Sequence, residues 1–133
     1  IFVSPDGQRT MNTYLGSCQE VDEADVDEAV VRGAAITYFE GYLWDPPAPI
    51  RAIRKAKAVA RAAGRKVALT LSDVFCVEGH RDDFLAMMRG GLVDIAFANE
   101  NEAMSLFRTN SMEAAIEGLA AAVPLAVVTR SDK

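Results

Sequence analysis

The run Asn99-Glu100-Asn101-Glu102 closes one apolar stretch, "VDIAFAN", and opens another of helical period, "ENEAMSLFR". Two chemistries suit an Asn and a Glu three residues apart at such a junction. As a helix cap, Asn99 accepts a hydrogen bond from a first-turn N–H while the Glu102 carboxylate reaches back to the N–H of Asn99. As a ligand site, the free N–H groups of the helix start suit a phosphate, and the carboxylate with its neighbouring amide suits Mg²⁺ held through water. Asn110-Ser111-Met112-Glu113 repeats the spacing before a helix with no strand ahead of it, so the spacing alone is compatible with either role.

Other residues carry chemistry of their own. Asp73 ends the strand-like "KVALTLSD" and suits either the orientation of a substrate hydroxyl or water, or an ordinary strand-end turn. Arg9 lies in a polar hairpin, where it is either a solvated charge or a cation that closes onto a transferring phosphate. Met11, Tyr14, Tyr42 and Trp44 have the shapes to line a planar ligand or simply to pack. His80, the only histidine, sits in "EGHRDDF" near a helix start, which favours a surface or capping role. No P-loop, no Gly-x-Gly-x-x-Gly fingerprint and no Gly-x-Ser-x-Gly elbow occurs in the segment.

The elements that position these residues follow from hydrophobic period and turn chemistry. "IFVSPDGQRTMNTYL" reads as a β-hairpin turning at Pro5-Asp6-Gly7-Gln8, and its polarity suits a flap over a site. An acidic helical turn, "VDEADVDEAVVRGA", leads to the strand "AITYFEGYL". A helix runs from the prolines after Asp45 to Gly64, and "KVALTLSD" is the next strand. Then come a helix through "HRDDFLAMMRGG", the strand "VDIAFAN", helices in "ENEAMSLFR" and "SMEAAIEGLAAA", and the strand "PLAVVTR". Strands alternating with helices of this length predict an α/β fold, a Rossmann-like parallel sheet with helices on both faces. The hairpin segment, residues 1–20, stands apart from the α/β core of residues 21–133.

Bulk properties narrow the function classes. With 133 residues, half of them hydrophobic, the chain can bury a real core. Its net charge of −5 argues against nucleic acid, which demands clustered cations. The Lys and Arg residues of "RAIRKAKAVARAAGRK" fall at helical spacing and read as a solvated face. Cys18 and Cys76 form neither a disulfide framework nor a zinc motif, which fits a reducing, cytoplasmic setting. No stretch has the length and apolarity of a membrane span, so no membrane partner is expected. Strand-like residues at both extremities suggest an internal piece of a longer protein.

Taken in order, "DGQRTMNTYLGS", "ITYFEGYLWDPP", "VDIAFANENEA" and "LAVVTRSDK" resemble the lid, a core strand, the Asn-x-x-Glu strand and the nucleotide-approaching strand of the ribokinase-like, or PfkB, kinases. The likeness is strongest to the bacterial adenosine-kinase-like branch. It implies ATP and Mg²⁺ as cofactors and transfer of a phosphoryl group to a hydroxymethyl group of a nucleoside or sugar. Asn99 and Glu102 would help to place Mg²⁺ and the phosphates, Glu102 through water, with Thr129 and Ser131 on the nucleotide side. Arg9 would touch the transferred phosphate from the lid, Met11, Tyr14 and Asp73 would lie on the substrate side, and the lid offers a homodimer contact. The family's Asp-Thr-x-Gly-Ala-Gly-Asp segment, with its catalytic Asp and anion hole, is absent, so this segment alone is expected to be inactive. The rival expectation is a non-catalytic α/β module that binds a nucleotide or a protein.

Overall fold

The computed structural model describes residues 1–130. The chain opens with a short hairpin, β1 (Phe2–Val3) against β2 (Arg9–Thr10), in which Phe2 faces Thr10 and Val3 faces Arg9. Its turn is set by two observations: the Gly7 N–H donates to the Ser4 carbonyl at 2.9 Å, and Gly7 takes φ +83°, which a side chain would resist. The ladder is shorter than the sequence pattern suggests. Gly16–Glu20 coils into a 3₁₀ turn against the second helix instead of extending the hairpin.

The acidic segment forms a second 3₁₀ turn, Glu23–Asp25, and then helix α1 (Glu28–Gly33), whose start is capped by Asp27 accepting from Ala29 and Val30. Four parallel strands follow: β3 (Ile36–Glu40), β4 (Lys66–Thr70), β5 (Ile95–Asn99) and β6 (Leu125–Thr129), hydrogen-bonded in that order. Helix α2 (Pro47–Ala62) joins β3 to β4, α3 (Val74–Arg89) joins β4 to β5, and α4 (Glu100–Phe107) with α5 (Met112–Ala122) joins β5 to β6. The expected parallel α/β architecture is present. Right-handed crossovers in a sequential strand order lay the connecting helices of these four strands over one face, not over both as the alternation of strands and helices predicts. On the opposite face the described residues leave Ile36, Tyr38 and Leu125 exposed, with the Tyr38 ring meeting Phe97 edge-on across β4.

Local chemistry explains the helix boundaries. Pro47 occupies the first position of α2, where its missing N–H costs nothing. The helix ends where Arg65 N–H reaches back to the Ala60 carbonyl at 2.9 Å around Gly64 at φ +67°. Helix α3 begins six residues earlier than the apolar pattern from His80 implies. Asp73 caps its start by accepting from the Cys76 N–H at 2.7 Å, and His80, at φ −127° and ψ 19°, marks a kink inside it.

The core lies between the sheet and its helices. Val67, Leu69 and Leu71 of the β4 segment, Ala96 and Ala98 of β5, Phe84 and Met88 of α3, and Leu106 and Leu119 of α4 and α5 are all buried. Trp44 stacks on Phe39, leans on Phe84, and donates its indole N–H to Asp83 at 3.0 Å, so it packs rather than lining a ligand. Both cysteines are free thiols. Truncating Phe84, which is fully enclosed, removes an aromatic from the centre of this contact set, and Phe84→Ala is expected to cost about 3–5 kcal/mol in urea unfolding of the full-length protein. An exposed site, Glu117→Ala, is expected to shift the same measurement by less than about 0.5 kcal/mol.

Candidate functional site

The carboxyl ends of parallel strands point to one edge of the sheet, so side chains just beyond them are gathered whatever their distance in sequence. Here the gathering is tight because Gly41, directly after β3, lies against the chain that leaves β4. A Cβ built on Gly41 would stand 2.8 Å from the Leu71 carbonyl oxygen. That approach lets the Tyr42 N–H donate to Ser72 Oγ at 3.3 Å and the Tyr42 hydroxyl donate to the Ser72 carbonyl at 3.2 Å. Ser72 takes φ +73°, an uncommon conformation for a residue with a side chain, and turns the chain so that Asp73 caps α3.

At the end of β5, Asn99 and Glu102 close a complete capping box. Asn99 Oδ1 accepts from the Glu102 N–H at 2.9 Å, Glu102 Oε2 accepts from the Asn99 N–H at 2.9 Å, and Asn99 Nδ2 donates to Glu102 Oε1 at 2.7 Å. The four-residue repeat at 110–113 behaves differently: Ser111, not Asn110, caps α5 by accepting from the Ala114 N–H, and exposed Glu113 meets only the Ser111 hydroxyl. Glu102, by contrast, is only 4% exposed. Burial raises its carboxyl above the ordinary value, the Asn99 hydrogen bond opposes the rise, and the charge of Asp73 adds to it. The charge of Asp73, just beyond the end of the adjacent strand, therefore reaches Glu102. Tyr42 stands in the same field, its hydroxyl pushed up first by burial and then by Asp73.

The structure thus brings Asp73, Asn99 and Glu102 together, with Thr129 the register partner of Asn99 on β6. Arg130 donates to Glu100 at 2.8 Å and ties the end of β6 to the first turn of α4. Ser131 lies outside the described residues. Arg9, Met11 and Tyr14 are all exposed on the hairpin segment, Tyr14 at 94%, and no hydrogen bond among the described residues joins Arg9 to the strand ends. His80 meets Asp45 through Nε2 and lies beside Phe84, a tether between α3 and the loop before α2. Cys76 is no nucleophile, because burial, with Asp73 adding to it, pushes its thiol up to about 12.

Ser72 and Arg130 were not evident from sequence. The positive φ of Ser72 has no residue-type signature, and the Arg130–Glu100 pair spans 30 residues. Among the described residues no group of three or more His, Cys, Asp or Glu side chains is placed to hold a metal. A carboxylate pair is enough for Mg²⁺, which keeps most of its water. Each Glu102 oxygen accepts one hydrogen bond from Asn99 and retains a second lone pair, so the donor set fits a water-mediated contact.

Comparison with known proteins bears on this geometry. The pattern of the pfkB family carbohydrate kinases matches residues 1–133. A solved adenosine kinase from Sinorhizobium meliloti shares 53% identity over 98% of the chain with a TM-score of 0.94, and a probable sugar kinase from Rhizobium etli CFN 42 shares 50% over 98%, also at 0.94. The chain spans only 40% of the length of each. An E. coli protein carrying the provisional name Ribokinase II, solved with ATP and Mg²⁺, matches 84% of the chain at 19% identity and a TM-score of 0.68, which shows likeness of fold. None of the curated proteins compared matches. With its whole length matched and its strand-end residues at the expected edge of the sheet, the chain belongs to the pfkB carbohydrate kinase family.

Proposed function

We propose that the protein containing this chain transfers the γ-phosphoryl group of ATP to a hydroxymethyl group of a nucleoside or sugar, with Mg²⁺. The observation that carries the reading is the buried Glu102 carboxylate, held beside Asp73 at the strand ends of a pfkB family member. Mg²⁺, when bound, supplies positive charge against the phosphate oxygens. Glu102 and Asn99 would orient one of its waters, Glu102 as the stronger acceptor. Burial keeps that carboxylate in one rotamer, and the Asn99 hydrogen bonds fix the direction of its free lone pairs.

The remaining roles follow from position. Asp73 would accept a hydrogen bond from a substrate hydroxyl, and Thr129 and Ser131 would approach the nucleotide. Arg9 would come down from the hairpin segment, residues 1–20, acting as a lid over the core of residues 21–133, and would meet the transferring phosphoryl group. Met11 and Tyr14 would then cover the acceptor, excluding water that would otherwise compete for the phosphoryl group. The proton of the acceptor hydroxyl needs a base that none of these residues supplies, as expected for a segment without the family's catalytic Asp, and the segment alone would be inactive. We take the setting to be cytoplasmic and the lid to offer a homodimer contact.

A second reading has one observation in its favour. Both Glu102 oxygens already accept from Asn99, as a purely structural cap requires, so a non-catalytic nucleotide- or protein-binding module is the alternative. Steady-state kinetics of the full-length protein separate the two. On the kinase reading, Glu102→Ala lowers turnover by roughly 10- to 100-fold and raises the Mg²⁺ concentration needed for half-maximal rate. A lower melting temperature with an unaltered Mg²⁺ requirement would instead assign Glu102 to the helix cap alone. Arg9→Ala is expected to lower kcat by on the order of 10²-fold while the KM for ATP changes little, because the contact would form only as charge develops in transfer. An unchanged kcat would remove Arg9 from the site.

A further inference from the structure

Along the outer side of α4, between it and α3, runs a cleft of about 710 Å³ that none of Tyr42, Asp73, Asn99, Glu102 or Thr129 lines. Its walls are mixed: Val74 and Met104 give an apolar strip, and Glu78 and Arg81 from α3, Asn101 and Ser105 from α4, and Arg108 and Thr109 beyond it supply polar groups. Two arginines against one carboxylate make this wall net positive on a chain whose formal charge is −5. Arg81 and Arg108 also both line a smaller adjoining cleft with Glu78, Asp82 and Asp83, so the two guanidinium groups border both clefts while Asp82 and Asp83 line only the smaller one.

The two arginines differ: Arg81 is anchored to the neighbouring helix, whereas Arg108 is exposed and unpaired among the described residues. Arg81 donates its Nε–H to the Leu106 carbonyl at 2.7 Å, which fixes the plane of the guanidinium and leaves its terminal N–H groups for another acceptor. Among the described residues the carboxylate within ion-pair distance of Arg81 is that of Asp82, 3.6 Å away on a side chain 97% exposed, too weak a pair to occupy those donors. Arg108 ends α4 at φ +49°, ψ +49°, where glycine would sit without strain. Among the described residues no carboxylate lies within ion-pair distance of Arg108.

We propose that this cleft binds a small phosphomonoester carried on a hydroxylated body. Phosphate brings nearly two negative charges and several acceptor oxygens to match two guanidinium forks. Asn101, Ser105 and Thr109 offer neutral partners for hydroxyls, and Glu78 accepts from one at the far wall. The volume suits a ligand of sugar-phosphate size. The site adjoins the strand-end group, since Val74 follows Asp73 and Asn101 lies between Asn99 and Glu102, but its two arginines belong to the α3–α4 side and the assignment does not depend on the kinase reading.

The test is hydrogen-exchange mass spectrometry of the full-length protein titrated with ribose 5-phosphate, with ribose and citrate as parallel arms. Ribose 5-phosphate is expected to protect residues 76–81 and 101–109, while ribose at equal concentration does not. Arg108→Gly removes the cation and relaxes the backbone, so its melting temperature should hold or rise while the half-saturating concentration for that protection increases at least tenfold. Protection that survives Arg108→Gly unchanged, or that falls only on residues 70–73, 99 and 129, would overturn the site. Equal protection by ribose or by citrate would overturn the phosphomonoester assignment.

Discussion

The buried carboxylate of Glu102 is the constraint on which the strand-end edge depends. Taking a charge out of water costs several kcal/mol unless donors replace the lost hydration. Asn99 supplies them, with its N–H and its side-chain amide each bonded to one Glu102 oxygen. The satisfied pair lets α4 start immediately after β5, so Ala103 and Leu106 are delivered into the core without an intervening loop. The alignment of Asn99 with Thr129 then carries the same edge across to β6, where Arg130 and Glu100 reinforce it.

A second close approach completes the edge. Gly41 admits the Leu71 carbonyl where any side chain would collide, and Tyr42 uses the resulting proximity to bond Ser72 twice. Asp73 is thereby held both as the cap of α3 and as a neighbour of Glu102. The cost is the left-handed Ser72 and a Glu102 carboxyl raised by burial, with the charge of Asp73 adding to the rise. Strain and like-charge proximity of this kind gather at functional sites more often than in plain scaffold.

The hairpin obeys other rules. Every residue from Ile1 to Leu15 is exposed, and its two-residue strands bury nothing. Its order comes from the Ser4–Gly7 turn rather than from packing. A segment with so little burial is one that opens cheaply, which is what the proposed lid role would require. The α3–α4 layer shows the opposite economy, since the Arg81 guanidinium is spent on a helix-terminal carbonyl that would otherwise lack a partner.

The sequence by itself determined the parallel α/β architecture, because strand-length apolar runs separated by helical periods admit few other topologies. It also offered the capping geometry at Asn99–Glu102 as one of two roles, because a cap is a contact between residues three apart. It did not distinguish Asn99–Glu102 from the same spacing at Asn110–Glu113. That difference is burial, which arises only when a strand precedes the cap and the sheet closes around it. The start of α3 was hidden for a related reason: Gly79 interrupts the apolar period locally, whereas Asp73 and the packing of Cys76 and Val77 hold the preceding turn helical. The meeting of Tyr42, Ser72 and Asp73 with Glu102, and of Arg81 with Arg108, was decided by the tertiary structure alone. Each joins elements some 25 to 60 residues apart through strand register and helix packing, and no local pattern encodes those.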